Sequence, residues 1–364
     1  MKLTGIQVLR AFAALLVVVW HIGGIAKNFP DVHVTPPAFL QFGYAGVDLF
    51  FTISGFIICY ISLKGTFDWR DFAMRRFFRI WPFYALFTAV AVVALSINPA
   101  WTLAAPPQNA TTIVESFLVW PQPQYPALFV GWSLEHEIQF YVLAAILFSL
   151  GFARLLPGLL FAMFAAGTVL NFYAGRPVWD WHLVSGYHLE FACGVMIYFW
   201  RARLRALGIG VPALLGVALL AATAWSTETR SLAHLVGVHE FAITELARIV
   251  GYATASSLLL IAGLNVDRLR APAGLFAPLL MLAVLIGDAS FTLYLSHPFV
   301  LSLLGHFGSA IGLHGFAAYL LLLCAVPLSC AFAVSFYVVL ERPALALFTR
   351  AMEGGQHAIT QRVP

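Results

Sequence analysis

The sequence predicts an all-α, polytopic transmembrane bundle of about ten helices with both termini in the cytoplasm. Three observations carry that prediction. The chain has 364 residues, of which 61% are hydrophobic and only 10% charged, and its mean hydropathy is +0.88. A water-soluble domain of this size cannot hide that much apolar surface. The apolar residues fall in stretches close to membrane-spanning length. The basic residues lie almost wholly on one side of those stretches, as the positive-inside rule requires of the cytoplasmic side.

In order, the apolar stretches read as spans at 6–26, 43–63, 80–97, 131–150, 155–174, 184–200, 209–226, 244–263, 289–307 and 316–340. The first is as long as a full span, and no small-residue cleavage site follows it, so it reads as a helix and not as a cleavable signal. The stretch 272–286 is apolar too, but Gly287 and Asp288 interrupt it. It is read as a cytoplasmic-side or re-entrant helix ahead of the ninth span. With this topology the inside receives Lys2, Arg10, Lys64, the arginines of 70–79, Arg154, those of 201–205, Arg268, Arg270, Arg342, Arg350 and Arg362. The outside receives Lys27, Arg176 and Arg230, and Arg248 falls within a span. Two long outer loops, 27–42 and 98–130, are rich in proline and aromatic residues. Residues 1–350 form one integral-membrane domain, and 351–364 read as a short cytoplasmic tail. Cys59, Cys193, Cys324 and Cys330 all lie in apolar stretches, which suits small buried hydrophobes. No metal-ligand spacing occurs, and nothing suggests a nucleic-acid partner.

Ionisable groups inside a bilayer are costly and are functional candidates by default. Arg10 and His21 share the first helix, roughly 16 Å apart along its axis, which puts His21 in the outer half of the membrane. Asp48 lies roughly 7 Å and Glu137 roughly 9 Å below the outer boundary by the same helical rise. His297 sits about midway along the ninth span. Two histidines and two carboxylates from four helices thus share one layer. A desolvated His21 is neutral and able to take a proton. Asp48 or Glu137 is expected to orient it and to stabilise the cation that forms. Read singly, each group equally suits a hydrogen-bonded pin between helices. On the inner side Arg70, Arg75, Arg76 and Arg79 crowd the entry to the third helix. They suit phosphate binding or contact with anionic lipid. Arg248 pairs with Glu245 at i,i+3 or touches an outer polar substrate. Trp132 belongs to an interfacial aromatic belt or stacks on a sugar ring. Glu135 and His136 flank Glu137 on other sides of the helix. His33, His234, His239, His306 and His314 read as incidental. The GxSxG, HxxxD, HExxH, Walker A and GxGxxG patterns are absent.

Five motifs then occur in order: Arg10 with His21 in IQVLRAFAALLVVVWH, GVDLFFTISGF (46–56), RRFFRIWPFY (75–84), GWSLEHEIQFY (131–141) and GDASFTLYLSHP (287–298). On these the chain resembles the integral-membrane acyltransferase family 3, and its start is most similar to the exopolysaccharide-acetylating branch. The resemblance covers nearly the whole chain. It implies a bacterial inner-membrane enzyme that moves an acyl group, usually acetyl, from cytoplasmic acyl-CoA. The acceptor it implies is a hydroxyl of a glycan or lipid-linked glycan outside. It further implies that His21 is the essential histidine and that Arg10 and the run Arg75, Arg76 and Arg79 match the family's arginines. Glu137 matches its glutamate. Phe291 stands where the family often has tyrosine, and Ile53 where leucine or valine is common. With the resemblance, coenzyme A is expected on the arginines and acceptor contacts at Trp132, Tyr141, Tyr294, His297 and Arg248. Ser54, Tyr141 and Tyr294 are candidate oxyanion donors. The rival classes are a transporter or flippase, which predicts an internal repeat although none of the His or GVDLFF elements recurs, and a non-catalytic assembly partner for an acylated glycan, which predicts that His21→Ala keeps activity.

Overall fold

The computed structural model describes residues 3–26, 28–29, 42–98, 109–122, 124–174, 182–229, 243–268 and 276–360. The outer-loop residues 30–41 and 99–108, with His33, His234, His239, Arg176 and Arg230, lie outside the described residues, as does the side chain of Glu245. Among the described residues there are helices and no strand. The α-helices are α1 (Thr4–Ala26), α2 (Ala45–Ser62), α3 (Trp69–Ile97), α4 (Ala110–Leu118), α5 (Trp132–Ser149), α6 (Leu156–Ala174) and α7 (His188–Leu204). They continue as α8 (Gly210–Thr229), α9 (Ile243–Val266), α10 (Phe276–Asp288), α11 (Ser290–Ala310), α12 (Gly315–Phe336) and α13 (Arg342–Thr360).

Six helical stretches are long and apolar enough to cross a membrane by length and composition. Two further pairs pass together but are bent, α7–α8 by 113° and α10–α11 by 78°, which allows up to eight if each pair is one span. The helix α5 is not among them, because Glu135, His136 and Glu137 lower the hydropathy of its first turns. The outward faces carry large exposed apolar side chains such as Leu214, Phe316 and Leu323. In water such a surface is an aggregation hazard; against lipid tails it is the expected solvent. The protein is a multi-pass helical membrane bundle.

Three elements differ from the sequence reading. Helix α3 begins at Trp69 and not near residue 80, so the arginine run is helical. Its start is capped by Asp68, whose side chain accepts from the backbone N–H groups of Arg70 at 2.8 Å and Asp71 at 3.4 Å. The long loop after α3 contains the short helix α4, closed by an Asn109/Thr112 capping box. After α12 a π-helical turn, Tyr337–Glu341, leads into α13, a helix from Arg342 to Thr360 where the sequence reading placed none. The bend at Asp288 falls where Gly287 and Asp288 break the apolar run, and the short helix α10 packs along α1.

Helix α1 is the hub. It packs against α2, α9, α10, α11 and α12, and so holds Arg10 and His21 among the helices that bring the other polar residues. Helix α2 lies between α1 on one side and α7 and α9 on the other.

Candidate active site

At the histidine end, α1 and α11 bring His21 and His297 together. The ring centroids are 4.9 Å apart, and Nε2 of His297 lies 3.2 Å from Nδ1 of His21. Both rings also touch their own helix: His21 Nδ1 is 2.8 Å from the Val17 carbonyl, and His297 Nδ1 is 3.0 Å from the Leu293 carbonyl. A carbonyl oxygen only accepts, so each Nδ1 carries its hydrogen. That assignment leaves His297 Nε2 as an acceptor facing His21 Nδ1–H. It leaves His21 Nε2 unprotonated, with no hydrogen-bond partner among the described residues. The ring of Phe129 flanks His21 at 5.3 Å.

This geometry corrects the expected orienting pair. Neither Asp48 nor Glu137 is a hydrogen-bond partner of His21; Val17 and His297 are. Each helix presents its carboxylate in a direction away from His21. Asp48 is buried on the far side of α2, 3.9 Å from the Arg248 guanidinium. Arg248 itself is buried and stands over the Tyr44 ring at 5.7 Å, with Tyr44 and Tyr252 sharing a hydroxyl contact of 3.3 Å. It is therefore enclosed by α2, α9 and the Tyr44 ring among the described residues. Trp132 is partly buried, among the rings of Tyr187, His136 and Phe51.

Toward the arginine end lies a cavity of about 420 Å³ between α1, α2, α3, α5 and α11. Its volume is in the range of small-molecule sites. Its charged lining is Arg10, Arg76, Arg79 and Glu137, three cations against one carboxylate. The Glu137 Oε1 accepts from Ser54 Oγ at 2.8 Å and from Tyr141 OH at 2.6 Å. Arg76 stands 5.9 Å from the centroid of the same Tyr141 ring. Arg79 is held over Phe291 at 5.5 Å and is ion-paired with Glu341. Arg75, one residue from Arg76, does not line the cavity. It points along the outer surface of α3 to Asp71, 2.8 Å away and one helical turn back.

The cavity's other end is marked by Ser133 and Tyr294, whose hydroxyls are 2.8 Å apart; the Tyr294 hydroxyl also donates to the Val130 carbonyl at 2.9 Å. Tyr294 stands one residue short of a helical turn before His297, and their rings are 6.1 Å apart. All three candidate oxyanion donors have their protons engaged, Ser54 and Tyr141 on Glu137 and Tyr294 on the neutral Val130 carbonyl, from which it can turn away.

Two features escaped the sequence reading. Glu341 is fully buried and clasps both Arg79 and Thr292. Its one sequence signal is a lone carboxylate at the end of the last apolar run, where the chain turns basic. Glu135 pairs with His182 at 2.7 Å, and His136 stacks on His182 at 4.7 Å, so those two flanking residues build a cluster of their own away from the cavity. Among the described residues no group of three or more His, Cys, Asp or Glu side chains is arranged to hold a metal ion.

Comparison with known proteins places the chain in a family. The Acyltransferase domain model, Acyl_transf_3, matches residues 3–338. The chain is 32% identical over 323 residues to the exopolysaccharide production protein ExoZ of Rhizobium meliloti (strain 1021), covering 83% of this chain and 90% of that protein. No solved structure matches. The matched stretch takes in every residue that lines the cavity and both paired histidines, and the chain therefore belongs to the integral-membrane acyltransferase family 3, a family of O-acyltransferases.

Proposed function

We propose that this protein moves an acyl group, acetyl in the first instance, from acyl-CoA on the cytoplasmic side to a glycan hydroxyl presented outside. The observation that carries the reading is one cavity that begins among Arg10, Arg76 and Arg79 and ends at Tyr294, beside the His21–His297 pair. The positive-inside bias orients the arginine end to the cytoplasm of a bacterial inner membrane. An exopolysaccharide-type acceptor is suggested by the name of the relative ExoZ.

In this reading the coenzyme A phosphates sit on the arginines, where guanidinium forks match phosphate oxygens. The pantetheine arm extends along the apolar wall of α2. Glu137, pinned by Ser54 and Tyr141, accepts from the arm's amide N–H groups. The thioester arrives near Tyr294. His21 Nε2 removes the proton of the acceptor hydroxyl as its oxygen attacks the thioester carbon. His297 Nε2 accepts from His21 Nδ1–H and stabilises the imidazolium, the role the sequence had given to a carboxylate. Tyr294 turns its hydroxyl to the developing oxyanion. The C–S bond then breaks, and the leaving thiolate takes the proton from His21. Bond making and breaking balance with no other reactant.

The test is the O-acyl content of surface glycan in cells lacking the protein, complemented with wild type or His21→Ala. Mass spectrometry of acids released by mild base reads both amount and identity. Acyl groups restored by wild type and absent with well-expressed His21→Ala support the reading. Equal restoration by both removes His21 from the chemistry and returns the transporter class.

A further inference from the structure

We propose that Glu341 is a positioning residue for the acyl donor: it holds Arg79 at the wall of the cavity in the geometry that receives a phosphate. The inference rests on the donor reading above. Glu341 lies at the end of the π-helical turn Tyr337–Glu341, between α12 and α13. Single π-helical turns inside longer helices recur at functional sites.

The carboxylate is fully buried, a placement that is costly unless its oxygens are matched. Both are. Oε1 accepts from Arg79 Nη1, and Oε2 accepts from Thr292 Oγ1. Three elements meet there: α3 through Arg79, α11 through Thr292, and the α12–α13 joint through Glu341. Only one of the guanidinium's N–H groups is engaged, which leaves a fork for a ligand among the described residues. Arg79 is itself partly exposed, its side chain at 25%. Without an anchor so long a side chain spreads over many rotamers, and a donor would have to order it on binding. A plain structural role, one pin tying α3 to the α12–α13 joint, accounts for burial alone. It makes no connection between Glu341 and ligand affinity.

The test is acetyl-CoA binding to the full-length protein in lipid nanodiscs, measured by calorimetry together with melting temperature. Four variants are needed: Glu341→Leu, Glu341→Gln, Arg79→Ala and the double Arg79→Ala/Glu341→Leu. The expected result is a roughly tenfold weaker Kd for Glu341→Leu, the loss of about one charged contact. Glu341→Gln, which keeps an acceptor for Arg79, should stay within about threefold of wild type. The double variant should bind no more weakly than Arg79→Ala alone, because two residues acting through one contact are not additive. Losses that multiply in the double variant, or wild-type affinity in folded Glu341→Leu, overturn the proposal. If Glu341→Leu does not fold, Thr292→Val loosens the same carboxylate; unchanged affinity there also overturns it. Failure of the donor reading itself is recognised separately, as wild-type protein that does not bind acetyl-CoA at all.

Discussion

The two faces of α2 both carry polar side chains, yet they are built for opposite purposes. Val47, Phe50, Ser54, Ile57 and Ile61, at helical spacing, face the cavity. Asp48, Thr52 and Gly55 face the seam with α7 and α9, where Asp48 meets Arg248. The seam is closed so tightly that a Cβ on Gly55 would lie 2.3 Å from the Phe191 carbonyl oxygen, and one on Gly194 would lie 2.1 Å from that of Thr52. Small residues of this kind let membrane helices approach backbone to backbone. On the cavity face no helix fills the space, and the polar groups there point at one another across an opening. A polar residue in a membrane bundle is thus informative only once its face is known. The seam spends its charges on cohesion, whereas the cavity keeps its arginines in excess over carboxylate.

Substitutions on the two sides should separate chemistry and affinity from stability. The largest expected effect is His21→Ala, with acyl transfer down by about 10³-fold, the usual scale for losing a general base, and an unchanged melting temperature. A substantial loss of folded protein would return the His21–His297 pair to the cohesive class. Next is Gly55→Ala, which forces α2 from α7 and should cost about 2–3 kcal/mol of stability, as overpacking does. Its folded fraction should bind acetyl-CoA normally. A weakened Kd at unchanged melting temperature would mean that the two faces are coupled. Arg76→Ala should bind acetyl-CoA about tenfold more weakly and melt as wild type. Arg75→Ala, whose half-exposed i,i+4 pair with Asp71 adds little, should change affinity by less than about twofold. Equal effects in both would reduce the arginine run to topology. The smallest is Ser54→Ala, which removes one of the two donors to Glu137 and should weaken donor binding by about fivefold or less. An effect as large as that of Arg76→Ala would make Glu137 the main donor contact.

The order of polar residues along each helix was legible in the sequence, and the direction each one faces was not. Helical rise places Arg10, His21, Glu137 and His297 along the membrane normal, and the structure gathers Arg10, Arg76, Arg79, Glu137, Tyr141 and Tyr294 around one cavity. The same arithmetic contains no angle between helices. Asp48, in the first turn of α2, therefore looked like a partner for His21, although it faces the seam. Arg75 and Arg76 are adjacent in sequence and some 100° apart on a helix, and only Arg76 lines the cavity. The extension of α3 down to Trp69 was hidden because its arginines interrupt the apolar run, while Asp68 was available as the capping signal. The bend before α11 was legible from Gly287 and Asp288. Glu341 was not, since its partner Arg79 is 262 residues away in the chain.

The central claim is that donor binding and chemistry occupy separable ends of one path. The most direct test is the acetyl-CoA affinity of purified His21→Ala beside that of Arg76→Ala and wild type in nanodiscs. The account predicts wild-type affinity for His21→Ala and a roughly tenfold loss for Arg76→Ala. Equal loss in both variants, or tight binding by Arg76→Ala with none by His21→Ala, would contradict it.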